Sequence, residues 1–270
     1  MGCNFPREIN SVLISPSRFL DNGMRGQTFL SSQRILGPKR MMPWSYLAEF
    51  FRFRRLSRRD DGRFTVKFRD AYVQLRDDTS TTGFDQHYVY HTAWAARVLA
   101  RTRPEIHVDI SSSLYFTTIV SAFVPVRFYD YRPADIKLSG LESGSGNLLS
   151  LAFPDNSVRS LSCMHTIEHI GLGRYGDPLD PKGDLKAISE LLRVLAKGGD
   201  LLFVVPIGKP KVMFNAHRIY SWAQVMEYFN SLKLLESALV TDGGEFILDP
   251  SPEIRAEQKY GCGCFWFRKE

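Results

Sequence analysis

Short apolar runs alternate with amphipathic segments along the chain from residue 85 onward. The run at residues 201–206 is apolar throughout, with no polar residue at alternate positions. A strand of this kind is covered on both faces, which is typical of a parallel sheet flanked by helices. The double glycine at 198–199 marks a turn between this strand and a preceding helix. The pattern therefore predicts an α/β fold.

Further elements follow from the same reasoning. A helix capped by Asp85 carries an apolar face that includes Tyr88 and Leu99, and Ser221 with Gln224 forms a capping box before another helix. The helix after this capping box is predicted at residues 222–231, and the remaining predicted helices are residues 114–123 and 184–195. The predicted strands are residues 106–110, 126–129, 158–164, 201–206, 232–240 and 262–267. Strands that alternate with helices predict a doubly wound sheet.

The first 84 residues are expected to form a separate N-terminal extension. Residues 1–40 are rich in Ser, Gly, Asn and Pro and predict irregular structure, whereas residues 43–59 predict a helix and residues 64–75 lean towards β-structure. The polar cluster at 77–83 marks a boundary. We therefore divide the chain into an extension, residues 1–84, and an α/β domain, residues 85–270.

The charge distribution singles out the extension. The chain has a formal charge of +6, but residues 1–104 carry +9 and the rest −3. The arginines of the 43–59 region lie among aromatic residues; they are Arg52, Arg54, Arg55, Arg58, Arg59 and Arg63. Such a helix can associate with an anionic membrane surface or hold a phosphorylated acceptor. It can equally be a solvated Arg face over a packed Phe and Leu face. No nucleic-acid partner is expected, because no recognised binding motif accompanies the patch.

The composition predicts a globular cytoplasmic protein. A hydrophobic content of 44% is enough for one large core with an appendage. The stretch at 116–126 contains Pro125 and is too short to cross a bilayer, and no signal peptide begins the sequence. Four cysteines, two of them one residue apart, do not suggest a disulfide framework.

Two segments resemble class I S-adenosylmethionine-dependent methyltransferases. The helix end, Gly-Gly turn and apolar strand at 193–206 resemble the strand-five region of that superfamily. Residues 151–157, read LAFPDNS, lead into the strand at 158–164 and then to Glu168-His169, as strand four does there. The resemblance covers roughly residues 85–270 and implies a Rossmann-like methyltransferase core with an antiparallel last strand. It also implies S-adenosylmethionine as the cofactor.

Two further runs resemble one domain family of uncharacterised function that carries this core. They are residues 171–177, read GLGRYGD, and residues 260–267, read YGCGCFWF. This resemblance implies a fold and a reaction class and does not identify an acceptor.

The cofactor-binding residues implied by the resemblance follow the predicted strands. Ligands of an open α/β sheet bind beyond the carboxyl ends of its strands. After strand one the family has an acid and a glycine-rich turn, whereas this chain has Asp109 followed by Ser111, Ser113 and Tyr115. Serine hydroxyls can still bind a carboxylate, provided that Tyr115 points away.

Two more positions complete the expected cofactor site. Asp130 ends strand two, where an acid can accept both ribose hydroxyls; the alternative is a surface pair with Arg132. Asn147, beside Leu148, stands where relatives hold the adenine amino group, and an amide oxygen can accept that hydrogen bond. An ordinary polar turn is an equal alternative for Asn147.

No metal site is expected. Residues 165–169 spell H-x-x-E-H, which would bind zinc if all five lay in one helix. The run at 158–164 predicts a strand, which places His165 at a strand end instead. Cys262 and Cys264 alternate along a predicted strand, so we expect packed thiols on the same face as Trp266.

Methyl transfer from a sulfonium needs alignment of the nucleophile and at most one base. The candidate bases lie at the mouths of strands four and five; they are His165, His169, Asp177 and His217. For each of them a structural hydrogen bond is the alternative. The loops at 171–183 and 207–220 are expected to form the acceptor pocket, and Arg174, Lys209, Lys211 and Arg218 favour a small anionic or glycan-like acceptor.

Two functions therefore remain open from the sequence. One is an S-adenosylmethionine-dependent methyltransferase. The other is a non-catalytic or repurposed binding protein that kept the fold and lost the glycine-rich turn, since Ser111, Ser113 and Tyr115 replace its glycines.

Overall fold

The computed structural model describes residues 44–59 and 63–270. Ten strands are present in these ranges: β1 His107–Ile110, β2 Val126–Asp130, β3 Leu141–Ser145, β4 Val158–Met164, β5 Leu195–Ile207, β6 Lys211–Met213, β7 His217–Ile219, β8 Lys233–Val240, β9 Phe246–Leu248 and β10 Gly261–Arg268. The α-helices are α1 Trp44–Ser57, α2 Gln86–Thr102, α3 Leu114–Val120, α4 Gly183–Val194, α5 Trp222–Tyr228 and α6 Pro252–Glu257. Phe68–Asp70 and Ile167–His169 form single 3₁₀ turns.

Eight of the strands form one mixed sheet in the order β3-β2-β1-β4-β5-β10-β8-β9. The five neighbouring strands β3, β2, β1, β4 and β5 are parallel to one another. Strand β10 is antiparallel to both β5 and β8. This arrangement confirms the doubly wound, mostly parallel sheet with an antiparallel last strand. The carboxyl ends of β1, β2, β3, β4 and β5 therefore meet at one edge, which we call the carboxyl edge.

The hydrophobic core lies on both faces of this sheet. One face packs against α4 and α5, and Phe203, Phe229 and Phe267 are fully buried there. The other face packs against α2 and α3, with Trp94 and Phe116 in its core. Because β4 and β5 lie between the two layers, their sequences contain almost only apolar or small residues.

The alternation predicted for β10 is confirmed. Cys262 and Cys264 are both fully buried and pack with Trp266 on the α2 side of the sheet. Phe265 and Phe267 point to the opposite layer. The two cysteines are free thiols.

The predicted caps are also present. The carboxylate of Asp85 accepts a hydrogen bond from the amide of Tyr88 at 3.0 Å, and Ser221 with Gln224 forms the complete capping box. Helix α5 ends three residues earlier than expected, because the chain turns at Phe229, whose side chain enters the core. Strands β3, β6, β7 and β9 were not predicted.

The region before residue 85 packs little. Helix α1 has no buried residue, and Phe51, Phe53 and Leu56 are 54%, 63% and 51% exposed. The expected β-structure at 64–75 is wrong, since the regular structure of these residues is a single 3₁₀ turn. The expectation for residues 1–40 lies outside the described residues. Among the described helices, none combines the length and the apolar character needed to cross a bilayer.

Candidate functional site

The turn that follows β1 keeps a glycine-like backbone although it is made of serines. Ser111 has φ 56°, a left-handed conformation that favours glycine. Its amide donates to the carbonyl oxygen of Tyr129 at 2.8 Å, and its hydroxyl donates to the same oxygen at 3.3 Å. The hydroxyl is thus engaged with β2, and the tight path of the chain is retained.

The other two residues expected in this turn lie at the start of α3. Ser113 is the N-cap residue of α3, and its hydroxyl makes no capping hydrogen bond. The side chain of Tyr115 is 83% exposed.

Asp109 lies beneath this turn and is fully buried. Its carboxylate accepts a hydrogen bond from the amide of Ser112 at 3.0 Å and another from the hydroxyl of Ser162 on β4. Burial raises the pKa of Asp109 to about 6, although these hydrogen bonds oppose the shift. Asp109 therefore holds the turn against the sheet from below.

Asp130 and Asn147 lie at the same edge. The sheet register pairs Asp130 with Ser145, and the amide of Gly146 donates to the carbonyl oxygen of Asp130 at 2.9 Å. The Asp130 carboxylate accepts from the backbone amide of Arg132 at 2.7 Å, so its bond with Arg132 involves the main chain. Asn147 is exposed and accepts from the amide of Leu149 at 3.0 Å.

Two close approaches shape this part of the edge. A Cβ atom on Gly146 would lie 2.7 Å from Cβ of Tyr129, so only glycine allows the β3 end to lie this near β2. The side chain of Leu148 is buried in the core, which leaves its main chain as the part that could meet a ligand.

The ends of β1 and β4 are tied together. The hydroxyl of Thr166 donates to the carbonyl oxygen of Ser111 at 2.9 Å, and the amide of Met164 donates to the hydroxyl of Ser112 at 3.1 Å. His165 has φ 53°, so both neighbouring strands end in a non-glycine residue with a left-handed conformation. Such strained positions concentrate at functional sites.

His165 is held by two buried partners. Its Nδ1 lies 2.9 Å from Oε1 of Glu168, and its Nε2 lies 3.2 Å from Sγ of Cys262. His165 follows a strand, and Glu168 and His169 belong to a 3₁₀ turn, so the H-x-x-E-H residues do not share one helix. The prediction that His165 lies at the end of a strand is confirmed. The motif therefore lacks the single helix that a zinc-peptidase site of this type requires.

Five of the six histidines of the chain gather at the carboxyl edge. The ring of His165 lies 5.8 Å from that of His87 and 5.0 Å from that of His91. Tyr260 joins the two halves of the group, with its ring 5.3 Å from His87 and 5.1 Å from His217. The group, called the histidine cluster below, comprises His87, His91, His165, His169 and His217.

The candidate bases His169 and His217 are both in this cluster. Nδ1 of His169 donates to the carbonyl oxygen of Ala216 at 2.7 Å, which leaves its Nε2 with the lone pair in the neutral ring. Nε2 of His217 is buried and has no hydrogen-bond partner among the described residues. The two rings are 6.4 Å apart.

Burial lowers the pKa of four imidazoles of the cluster and so keeps them neutral. It lowers the pKa of His87 to about 4 and that of His91 well below its usual range, with the nearby His165 adding to both shifts. Burial also lowers the pKa of His169 and of His217. For Glu168, burial raises the pKa, but His169 and His165 more than offset this, so its pKa is lowered. The cluster thus combines neutral bases with one buried carboxylate.

Asp177, the fourth candidate base, organises the loop that follows. Its carboxylate accepts from the amide of Gly171 at 2.7 Å and from that of Tyr175 at 3.2 Å. Arg218, expected in the acceptor pocket, is buried; it donates to the carbonyl oxygen of Ile170 at 2.6 Å and lies 3.5 Å from Asp184. It therefore braces the loop.

The sequence analysis did not predict that residues of α2 and β10 lie beside His165. His87 and His91 are one helical turn apart, and this spacing was the available signal. Glu168, which contacts His165 directly, was not among the predicted site residues. Cys262 was expected only as a packed thiol.

A family model described as "Caenorhabditis protein of unknown function, DUF268" matches residues 155–243. A search of curated proteins finds no match.

Among solved structures, YcgJ from Bacillus subtilis is 15% identical over 67% of this chain and 99% of that chain, with a TM-score of 0.47. N-methyltransferase NodS from Bradyrhizobium japonicum, in complex with S-adenosyl-L-homocysteine, is 13% identical over 72% of this chain and 89% of that chain, with a TM-score of 0.47. The cyclase SpnF is 15% identical over 66% of this chain and 80% of that chain, with a TM-score of 0.44.

Proposed function

We propose that this protein is an S-adenosylmethionine-dependent methyltransferase that acts on a small anionic or glycan-like acceptor. The observation that carries the proposal is the backbone of Ser111. Its φ of 56° preserves the turn that the cofactor needs, even though the family's glycines are absent. The same turn is bonded through Thr166 to the end of β4, where the histidine cluster begins.

The residues of the carboxyl edge fit the cofactor. The backbone around Ser111 and Ser113 would hold its methionine part, and the carboxylate of Asp130 would accept hydrogen bonds from the ribose hydroxyls. Asn147 and the main chain of Leu148 would meet the adenine. The Ser111 hydroxyl is bonded back to β2 and Tyr115 is exposed, so neither obstructs this path. When bound, the cofactor supplies an electrophilic methyl group.

His169 is the candidate base that the hydrogen bonds orient best. The carbonyl oxygen of Ala216 holds the proton on Nδ1, so Nε2 can take a proton from an acceptor hydroxyl or amine. Burial keeps the pKa of His169 low, which preserves the neutral form near pH 7. Nε2 of His169 lies 3.8 Å from Oε1 of Glu168. Nε2 of the neighbouring His217 is buried and has no hydrogen-bond partner among the described residues.

The residues around this base favour an anionic acceptor. Arg132 and Arg174 stack on the ring of Tyr175 at 4.5 Å and 5.1 Å. Lys209 and Lys211 are exposed on the segment that leads into β6. These cations would attract a phosphate or carboxylate, whereas buried Arg218 is committed to the loop backbone.

Isothermal titration of the full chain tests the cofactor half of the proposal directly. S-adenosylmethionine and S-adenosylhomocysteine should bind in the micromolar range, and adenosine or methionine alone should bind far more weakly. Methyl transfer from a labelled cofactor to a panel of sugar phosphates and glycan intermediates, with neutral sugars as controls, then tests the acceptor.

A repurposed, non-catalytic protein is the second candidate. It is favoured by the Ser111 hydroxyl, which bonds Tyr129 and does not face the edge, and by Asp109, whose carboxylate is fully enclosed. A well-folded wild-type protein that shows no titration heat with millimolar S-adenosylmethionine would favour this candidate and overturn the methyltransferase proposal.

A further inference from the structure

Two histidines of the cluster and Cys262 place metal-ligating atoms around one point. One ring nitrogen each of His87 and His165 and the sulfur of Cys262 all lie within 4.8 Å of one another. We propose that this triad, called the His87–His165–Cys262 triad below, binds a zinc ion. The proposal departs from the expectation of no metal and does not depend on the proposed methyl transfer.

The geometry of the triad is close to that of a zinc site. Nε2 of His165 and Sγ of Cys262 are 3.2 Å apart, and the ligand atom of His87 lies within 4.8 Å of the other two. Zinc bonds of about 2.0 to 2.3 Å place tetrahedral ligand atoms roughly 3.5 Å apart. The ring of His87 is nearly parallel to that of His165, at 8°, so it must turn on the first turn of α2 for its nitrogen to face the same point.

The chain already supplies the outer hydrogen bond that zinc-binding histidines need. Nδ1 of His165 donates to Oε1 of Glu168 at 2.9 Å, which fixes the ring so that Nε2 faces Cys262. A carboxylate behind a ligating histidine sets its tautomer and raises its basicity. Glu168 is 1% exposed, and its Oε2 is buried with no hydrogen-bond partner among the described residues.

The charges also favour a cation at this point. Without a metal, Cys262 is a free thiol whose sulfur lies 3.2 Å from Nε2 of His165, to which it can donate its proton. On binding, the S–H bond breaks, a zinc–sulfur bond forms and one proton leaves to solvent. Zinc, thiolate and Glu168 then sum to no net charge.

The ligand types indicate zinc and a site with room for a fourth ligand. Imidazole and thiolate suit zinc, whereas magnesium and calcium prefer oxygen. Three protein ligands leave one position for water or for an oxygen or sulfur of a bound molecule. The site differs from an H-x-x-E-H zinc site, because Nδ1 of His169 is bonded to Ala216 and only His165 is shared.

Metal content and a cobalt spectrum of the full chain test the proposal. Purified protein should hold about one zinc per chain after dialysis. Chelator-treated protein titrated with Co²⁺ should show a thiolate-to-cobalt charge-transfer band. Cys262→Ser should lose that band, while Cys264→Ser, its buried neighbour on the same sheet face, should keep it. A wild type without the band, or a band undiminished in Cys262→Ser, would overturn the proposal.

Two further variants and one control variant keep the test decisive if Cys262→Ser fails to fold. Glu168→Gln should weaken cobalt and zinc binding by about 10- to 100-fold, the usual effect of losing such an outer partner. His87→Gln, at the partly exposed first turn of α2, should remove most binding. His107→Gln changes the one histidine outside the cluster and should bind metal as the wild type does. Equal affinity in His87→Gln and His107→Gln would contradict the triad.

Discussion

The hydroxyl of Thr166 donates a 2.9 Å hydrogen bond to the carbonyl oxygen of Ser111. Ser111 ends β1 on the proposed cofactor side, and Thr166 follows β4 on the side of the histidine cluster. The bond therefore joins the two halves of the candidate site directly. Because Thr166 directly follows His165 and is bonded to the main chain of Ser111, a change in the backbone of Ser111 should also affect His165.

Replacement of Asp130 should weaken cofactor binding without loss of the fold. We expect Asp130→Ala to cost about 1.5 to 3 kcal/mol of binding free energy, the range for hydrogen bonds to a charged group. Asp135→Ala is a matched control, since Asp135 is exposed on the loop that follows β2. Titration with S-adenosylhomocysteine measures both. Equal affinity of the two variants would remove Asp130 from the ribose site.

Ser111→Gly should be tolerated, and Ser111→Val should not. Glycine adopts a φ of 56° without the conformational cost of about 1 kcal/mol that other residues bear. The change removes only the 3.3 Å hydrogen bond from the Ser111 hydroxyl to the carbonyl oxygen of Tyr129. A β-branched residue suffers most in this conformation. Urea denaturation should therefore give a free energy of unfolding for Ser111→Gly within about 1 kcal/mol of the wild type, and a clearly lower one for Ser111→Val. The reverse order would show that the turn is not left-handed in solution.

Asp177→Ala should lower stability as well as any activity. The carboxylate holds the amides of Gly171 and Tyr175, and leaving such groups unpaired costs about 1 to 3 kcal/mol. Thermal unfolding and methyl transfer, measured on the same preparation, separate the two possible roles. Lost activity with unchanged stability would support Asp177 as a base instead of a loop brace.

His107 should make stability depend on pH. It is fully buried between the hydroxyls of Ser160 and Ser162, and burial lowers its pKa to about 3. The unfolded chain therefore binds more protons than the folded one below the usual histidine pKa of 6.5. Its contribution is complete above that pH and is lost as the pH falls towards 3.

His107→Gln isolates this effect, because glutamine retains a donor and an acceptor and does not titrate. Between pH 7 and 4.5 the wild type should lose roughly 1 to 3 kcal/mol more unfolding free energy than the variant. Asp109, whose pKa is raised to about 6, acts in the opposite direction but is common to both proteins. Parallel pH profiles would contradict the prediction.

Helix α1 is expected to bind anionic membrane surfaces. The described residues give it no packed apolar face, since Phe51 and Phe53 are more than half exposed beside its arginines. Sedimentation with anionic vesicles should show binding that fades with salt, because exposed charges are screened over about 8 Å. A variant with Arg52, Arg54, Arg55 and Arg59 changed to Glu should not sediment. Equal binding to neutral vesicles would exclude the electrostatic mechanism.

Local patterns in the sequence were sufficient for the main elements of the fold. The bounds of β4 were predicted to the residue, and the facing of Cys262 and Trp266 on β10 followed from alternation. These features depend on the burial of a strand and on the alternation of its side chains between the two faces of the sheet. Both are visible in a run of consecutive residues. Strand β3 was missed because its sequence, LESGS, has no β-forming residues, and it is held by its register with β2.

The candidate site depended on the tertiary structure. Its members come from the first turns of α2, the end of β4, β7 and the start of β10, and no local pattern brings these segments together. The sequence by itself determined that Ser111 replaces a glycine, but only the folded chain showed a left-handed residue there, bonded to Tyr129. Likewise, His87 and Cys262 become neighbours of His165 only because α2 and β10 pack at the carboxyl edge. The burial of a strand or a helix face is visible as a pattern in consecutive residues. A set of ligands is formed by side chains that are far apart in the sequence and meet only in the folded protein.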